Sequence, residues 1–272
     1  MTACNGRVLS IAGSDCGGGA GIQADIKTIT ALGGYAATVI TAVTAQNTLG
    51  VRRIHAIPAD IIRAQMDAVL EDIGADCIKT GMLASADIID VVFHRLMAHG
   101  PEIPCVIDPV MVATSGARLI DEGAIAALKR LLFPGAALLT PNIPEAEVLT
   151  GLRITDIERM RQAGQALLAM GAKAVLLKGG HMTGPQVHDV LVSGEGFEIF
   201  SSPRIDTRHT HGTGCTLASA IATGLAQEMP LSDAVRRGRA YVLEAIRTAP
   251  GLGAGHGPLN HGHTVKVYEG RI

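Results

Sequence analysis

The stretch RVLSIAGSDCGGGAGIQADIKTITALGG, residues 7–34, decides the fold reading. Its first part, Arg7 to Gly13, is a short apolar run closing on glycine, the pattern of a buried strand. Gly17, Gly18, Gly19 and Gly21 follow as a loop. Ile22, Ile26, Ile29 and Leu32 then recur at helical spacing, and Gly33-Gly34 is the stop. Strand, glycine loop and helix in this order begin an alternation that continues along the chain.

Residues 35–45 are rich in β-branched side chains and predict a strand. Pro58-Ala59-Asp60 opens a helix whose Ile61, Ile62, Met66, Val69 and Leu70 face inward. Cys77–Lys79 predicts a strand, 85–98 a helix, Cys105–Asp108 a strand and 121–132 a helix. Ala136–Thr140 is a strand stopped by Pro141. Thr155–Met170 is a helix with Thr155 as its cap, and Ala174–Leu177 a strand ending at Lys178-Gly179-Gly180. Residues 189–205 carry short strands and turns, a candidate hairpin. Helices over about 213–227 and 232–247 precede a Gly/His-rich tail. Strands alternating with helices predict a three-layer α/β fold, a mostly parallel sheet covered on both faces. With no linker, low-complexity tract or clear internal repeat, residues 1–272 are expected to form a single domain. In such sheets ligands bind beyond the carboxyl ends of strands. Ser14-Asp15, Gln46-Asn47, Asp108, Asn142 with Glu145, and Lys178 all fall there.

Composition narrows the function. The 272 residues carry 23 Lys plus Arg against 25 Asp plus Glu, a net charge of −2. That balance argues against nucleic-acid binding, which calls for a basic excess. With no Trp, three Tyr and four Phe, stacking platforms for single strands are scarce as well. No run of about 18 apolar residues is present to span a bilayer. The opening MTACNGRVLS lacks an apolar signal core, and Cys4, Cys16, Cys77, Cys105 and Cys215 form no CxxC pair. These features predict a reduced, cytoplasmic protein. Glycine is the outlier, 33 of 272 residues, against roughly 7% on average. Such an excess marks either loose turns or backbone brought close to a ligand.

The segment Thr210-His211-Gly212-Thr213-Gly214-Cys215-Thr216 precedes the helical run LASAIATGLA. Glycines just before a helix leave convergent backbone N–H groups at the positive end of its dipole, a place for an anion or a transferring phosphoryl group. Cys215 in the first turn would have a lowered thiol pKa. A plain glycine turn with a buried cysteine fits the same residues. Asn142-Ile143-Pro144-Glu145 either holds a hydrated magnesium or caps a helix. Lys178 before Gly179-Gly180 is either a phosphate ligand or a solvated lysine before a turn. Asp108-Pro109 either orients metal-bound water or shapes a turn. The Gln46 amide offers an acceptor beside two donors, which matches an aminopyrimidine edge; a surface amide is the alternative. The first cluster, Gly13 to Gly21, departs from both the GxGxxG spacing and the P-loop. His209 and His211 are read as shaping the 210–216 loop. His256, His261 and His263 lie in a tail too glycine-rich to favour zinc.

Taken together, IAGSDCGGGAGIQADIKT (11–28), VITAVTAQNT (39–48), KTGML (79–83), VIDPVM (106–111), LLTPNIPEAEVL (138–149), VLLKGGH (175–181), THGTGCTLASAIA (210–222) and GHGPL (255–259) resemble one family along nearly the whole chain. It is the hydroxymethylpyrimidine/phosphomethylpyrimidine kinase family of thiamine biosynthesis, within the ribokinase superfamily. The resemblance implies a ribokinase-like fold and a homodimer. It also implies ATP- and Mg2+-dependent phosphorylation of 4-amino-5-hydroxymethyl-2-methylpyrimidine, then of its monophosphate. By position, Gln46 would read the amino edge, with Gly13, Asp25 and Met82 lining the pocket and Thr44 and Val110 flanking it. Asn142 and Glu145 would organise magnesium with Asp108 nearby. Lys178, Asn142 and Thr213 would contact ATP, and His256 and Gly257 would lie near the nucleotide. Residues 212–215, Gly212, Thr213, Gly214 and Cys215, would form the anion hole. Sugar kinases of the superfamily usually carry Asp where Cys215 stands. Cys215 would act as base, or, held neutral, would spare a phosphate nucleophile the repulsion of a carboxylate. A pyridoxal or pyridoxine kinase is the nearest rival. A sugar or nucleoside kinase, a Rossmann-type NAD-dependent dehydrogenase and a non-catalytic pyrimidine sensor are the others.

Overall fold

The structure, a computed structural model, describes residues 5–112, 116, 120–266 and 270. Cys4 and the start of the opening segment lie outside the described residues. Nine strands, β1 (Arg7–Asp15), β2 (Tyr35–Asn47), β3 (Gly50–Ala56), β4 (Cys77–Thr80), β5 (Cys105–Ile107), β6 (Leu138–Leu139), β7 (Ala174–Leu177), β8 (Gln186–Ser193) and β9 (Gly196–Pro203), share one sheet. The helices are α1 (Gly21–Ala31), α2 (Ala59–Asp72), α3 (Ala86–His99), α4 (Glu122–Ala127), α5 (Ile143–Thr150), α6 (Ile157–Leu168), α7 (Thr213–Ala226) and α8 (Leu231–Arg247). The strand order is β3-β2-β1-β4-β5-β6-β7-β8-β9. Pairing is parallel from β2 through β7 and antiparallel at the β2–β3, β7–β8 and β8–β9 contacts. The mostly parallel sheet expected from the alternation is therefore present.

The central strands are short and apolar because both faces are covered, and their side chains alternate between two cores. Leu9, Ile11, Ile78, Ile107, Leu139, Val175 and Leu177 point into one core, completed by α2 to α6. Val8, Cys77, Val106, Leu138, Ala174 and Leu176 point into the other, under α7 and α8. The chain runs from β1 to β2 on one side, then returns to place β4 on β1's other side. This reversal opens a crevice at the carboxyl ends of the strands. There β1 shifts register between Ala12 and Ser14, around Gly13. Such a bulge bends the strand end and redirects the residues after it.

Two local expectations are corrected, and one strand carries no signal in the sequence. The cap of α6 is Asp156, whose carboxylate accepts from the Arg159 N–H; Thr155 instead donates to Asp156. The helix expected over 121–132 is α4 followed by a π-turn, Leu128–Leu132. Strand β3 had no apolar run to announce it. It is an exposed antiparallel edge carrying Arg52, Arg53 and His55, the charged composition that guards an unpaired edge.

Candidate active site

A cavity of about 680 Å³ opens at the carboxyl ends of the strands. Gly13, Thr44 and Gln46 reach its wall from β1 and β2, Met82 from the turn after β4, and Asp108 and Val110 from the turn after β5. Asn142 and Glu145 come from the start of α5, Lys178 from the end of β7, and Gly212, Thr213, Gly214 and Cys215 from the start of α7. Thirteen of the sixteen residues singled out from sequence thus surround one cavity.

Three do not. Asp25 is fully buried on α1, off the cavity wall. It accepts hydrogen bonds from Ser10 (2.6 Å), Ser219 (2.7 Å) and Lys79 (2.9 and 3.0 Å). Ser219 lies one helical turn beyond Cys215, so Asp25 ties the active-site helix to β1 and β4 from below. His256 and Gly257 brace loops from outside: the His256 N–H donates to Thr48 O, and Gly257 O accepts from the His211 N–H. The His256, His261 and His263 side chains take separate partners, Arg208 O, Thr216 and Tyr241 O.

The glycine loops divide by what their amides do. In the first, the Gly17, Gly19 and Ala20 N–H groups all donate to the Asp15 carboxylate, at 2.8, 3.1 and 2.9 Å. The chain's own carboxylate fills the place a dinucleotide pyrophosphate would need, which removes the physical basis of the dehydrogenase alternative. After β7, the Gly179 N–H is likewise spent on Asp189 (2.7 Å), which Arg239 pairs at 2.7 Å. The turn into α7 is different. The Thr213 N–H bends back to Thr210 O, while the Gly214 and Cys215 amides have no backbone partner among the described residues, as expected at a helix N-terminus. Gly212 enables this turn. Its φ is +85°, and a Cβ there would sit 1.8 Å from Gly19 O, so only glycine brings the two loops together.

Facing these amides is a cluster of charge. Lys178 Nζ lies 2.7 Å from Asp108 Oδ1, and a Cβ on Gly214 would meet that ammonium at 3.2 Å. Thr140 also donates to Asp108, at 3.1 Å. Burial opposes the Lys178 charge, but Asp108 and Glu145 outweigh it and raise its pKa. Asn142 and Glu145 form a reciprocal capping box, Glu145 N–H to Asn142 Oδ1 (2.9 Å) and Asn142 N–H to Glu145 Oε2 (2.7 Å). The capping alternative for this motif is realised, and the Asn142 side-chain oxygen is engaged in it. Capping does not exhaust Glu145. Burial, then the nearby Asp108, push its pKa from 4.5 up to about 7, against the pull of Lys178 and the Asn142 and Met111 N–H groups. A buried acid left so short of positive charge suits a hard divalent cation: Glu145 Oε1 and Asp108 Oδ2 are oxygen donors of the type magnesium takes.

Cys215 corrects the expectation of a lowered thiol pKa. Burial raises it to about 11; Lys79 and the Gly21 N–H pull it down, but Asp25 and Asp108 push it further up. The desolvation and the two carboxylates outweigh the helix N-terminus. Lys79, 0% exposed, went unassigned in the sequence; its signal was a lysine inside the apolar strand Cys77–Thr80. Burial works against its charge, yet Asp25, Cys215 and Asp108 raise its pKa.

The family model described as phosphomethylpyrimidine kinase matches residues 15–260. The chain is 55% identical over 256 residues to a bifunctional thiamine biosynthesis protein of Geobacter sulfurreducens, covering 94% of this chain and 52% of that one. The chain thus spans about half the length of that relative. It is 45% identical to the hydroxymethylpyrimidine/phosphomethylpyrimidine kinase of Bacillus subtilis, over 94% of each chain. A phosphomethylpyrimidine kinase crystal structure from Clostridium difficile superposes with a TM-score of 0.79 at 42% identity, over 88% of this chain and 99% of that one. The Staphylococcus aureus pyridoxal kinase in complex with AMP-PCP and pyridoxal gives 0.87 at 33% identity, over 95% and 94%.

Proposed function

From the premise that the chain belongs to the phosphomethylpyrimidine kinase family, with a ribokinase-like fold, we propose how its cavity performs two phosphorylations. The acceptors are 4-amino-5-hydroxymethyl-2-methylpyrimidine and then its monophosphate, and ATP is the donor. The observation that carries the reading is the free-amide turn at Gly212–Cys215 opposed to Lys178, Asp108 and Glu145. Its Gly214 and Cys215 amides, unlike those of Gly17, Gly19, Ala20 and Gly179, are not taken by the chain's own carboxylates.

The transferring phosphoryl group sits against the Gly214 and Cys215 N–H groups, at the positive end of α7. Lys178 neutralises charge on the donor phosphates. Glu145 and Asp108 would hold Mg2+, which would supply positive charge to the phosphate oxygens when bound. Thr213, in the same turn as Gly214 and Cys215, would contact the nucleotide. Asn142 acts by capping α5 and fixing the Glu145 carboxylate. Gln46 reads the amino edge, while Gly13, Thr44, Met82 and Val110 shape the ring site. The substrate oxygen attacks the γ-phosphorus, the new P–O bond forms, the hydroxyl proton of the alcohol passes in the first step to an oxygen of the transferring phosphoryl group, and the bond to the ADP oxygen breaks. Catalysis is positioning and charge stabilisation.

At pH 7 the Cys215 thiol is protonated, so it is not a standing base. In the second step the nucleophile is a phosphate, already largely ionised, and a neutral thiol leaves its path free of repulsion. Pyridoxal is the second reading, supported by the pyridoxal kinase likeness, and Gln46 favours the aminopyrimidine. Homodimer formation and a cytoplasmic location belong to the same proposal. No helix among the described residues is long and apolar enough to cross a membrane. Coupled ADP release measured with the aminopyrimidine alcohol and with pyridoxal tests the reading: a higher kcat/KM for pyridoxal would reverse the assignment.

A further inference from the structure

Four side chains on the cavity wall make a hydrogen-bond chain whose donors and acceptors are overdetermined. Gln46 Nε2 lies 3.3 Å from His211 Nε2, and Gln46 Oε1 lies 3.3 Å from Thr44 Oγ1. His211 Nε2 is also 2.9 Å from Asp15 Oδ2, and Thr44 Oγ1 donates to Ser14 O at 3.0 Å.

The Asp15 carboxylate already collects the Gly17, Gly19 and Ala20 N–H groups. Burial opposes its ionisation, but His211 and the Gly17 and Ala20 amides prevail and lower its pKa. An ionised carboxylate only accepts, so His211 Nε2 must carry the proton and donate. It then has no lone pair for an N–H of Gln46. Thr44 has one hydroxyl proton and two acceptors in reach, Ser14 O at 3.0 Å and Gln46 Oε1 at 3.3 Å; with the proton on the nearer Ser14 O, Thr44 can only accept from Gln46. With Nε2 toward His211 and Oε1 toward Thr44, the amide therefore pairs donor with donor and acceptor with acceptor. A half-turn of the amide repairs both contacts: His211 Nε2–H donates to Oε1, shared with Asp15, and Nε2–H donates to Thr44 Oγ1.

We propose that Asp15, acting through His211, and Thr44 together lock the Gln46 amide with its oxygen toward His211 and its nitrogen toward Thr44, making His211 a specificity-positioning residue. This rests on the aminopyrimidine reading above and adds the direction in which the ring binds. The oxygen accepts from the 4-amino group and the nitrogen donates to the adjacent ring nitrogen. On the pyrimidine, the carbon bearing the hydroxymethyl group is the next atom beyond the amino-bearing carbon. An oxygen on the His211 side therefore directs the hydroxymethyl group toward His211 and the peptide that follows it, Gly212 to Cys215, where the free amides lie. The opposite amide orientation would turn the reacting hydroxyl toward Thr44. Hydrogen-bond bookkeeping and the position of the anion hole select the same orientation independently.

The test is a double-mutant cycle on Gln46 and His211, read with the aminopyrimidine alcohol and with its analogue bearing hydrogen in place of the 4-amino group. His211→Phe is expected to raise KM for the aminopyrimidine about tenfold, to leave KM for ATP unchanged, and to cut discrimination against the analogue by a similar factor. Gln46→Ala combined with His211→Phe should bind the aminopyrimidine no more weakly than Gln46→Ala alone. A merely structural role would raise both KM values together and leave discrimination intact; that result, or additive losses in the cycle, overturns the proposal. Should His211→Phe fail to fold, Thr44→Val gives the same readout from the amide's other end, and unchanged discrimination there refutes the lock. Wild-type protein inert toward the aminopyrimidine would instead sink the functional reading, and this inference with it.

Discussion

Replacing Glu145 by Gln separates the two things this residue does. Gln keeps an oxygen to accept from the Asn142 N–H, and its backbone N–H still donates to Asn142 Oδ1, so the capping box survives. The ionisable charge is lost, together with one of the two acceptor oxygens that Asn142 and Met111 N–H groups share. Glu145 is 5% exposed, and its pKa rises from 4.5 unfolded to about 7 folded. Between those values the folded chain holds a proton that the unfolded chain has released, so stability falls as pH climbs through that window. The full effect above pH 7 is about 3 kcal/mol, at 1.36 kcal/mol per pH unit. Glu145→Gln should therefore match the wild type near pH 4.5 and exceed it increasingly up to pH 8. With an unfolding entropy of roughly 2 cal/mol/K per residue, the gain corresponds to about 5 °C in Tm. Urea unfolding of both proteins at several pH values, without metal or nucleotide, measures the difference. Adding magnesium and ATP should close the gap, because Glu145 then gains a cation partner, and the variant should need more magnesium for half-maximal turnover. A difference that is flat with pH, or a variant less stable at pH 8, would refute the claim that Glu145 is held short of positive charge.

Three further substitutions probe the rest of the site. Lys79→Met strands the Asp25 carboxylate among two serines and should cost about 3–5 kcal/mol in denaturant unfolding; Lys79→Met with Asp25→Leu should recover most of that loss, and an uncompensated double variant would contradict a simple charge pair. Gly212→Ala forces a side chain into a φ of +85° and against Gly19 O, so kcat should fall at least about tenfold, the equivalent of 1.4 kcal/mol on the barrier, and an unchanged kcat would show that loop proximity is dispensable. Cys215→Asp should retain the first phosphorylation better than the second, measured with the alcohol and the monophosphate as separate substrates; equal retention of both would remove charge repulsion as the reason for cysteine.

Much of this architecture was legible because its signals are local. The apolar runs at Val8–Ala12, Val106–Ile107 and Val175–Leu177 announce strands buried on both faces, and the polar residues that follow each run mark the crevice. The motif residues could be grouped in one cavity for the same reason: they all stand at strand ends or helix starts. What stayed hidden depends on contacts across the sheet. Asp25 and Lys79 lie 54 residues apart, and nothing in either segment reveals that they neutralise each other beneath Cys215. The direction of the Cys215 shift follows from that same burial, which a helix-start argument does not contain. The Asp15 contacts with Gly17, Gly19 and Ala20 are short in sequence, yet they were obscured by the usual association of glycine-rich loops with bound phosphate. The His211–Asp15 contact spans 196 positions and needed the folded chain. Likewise, β3 is charged because it is an edge, and so lacks the pattern that betrays central strands.

The central claim is that one cavity, with one set of free amides at α7, transfers phosphate first to an alcohol and then to the resulting monophosphate. The direct measurement is product identification by mass spectrometry after incubation with ATP, magnesium and 4-amino-5-hydroxymethyl-2-methylpyrimidine. Monophosphate should appear first and pyrophosphate follow, with Gly212→Ala slowing both. ADP formation that stops at the monophosphate, or pyrophosphate formation untouched by Gly212→Ala, would contradict it.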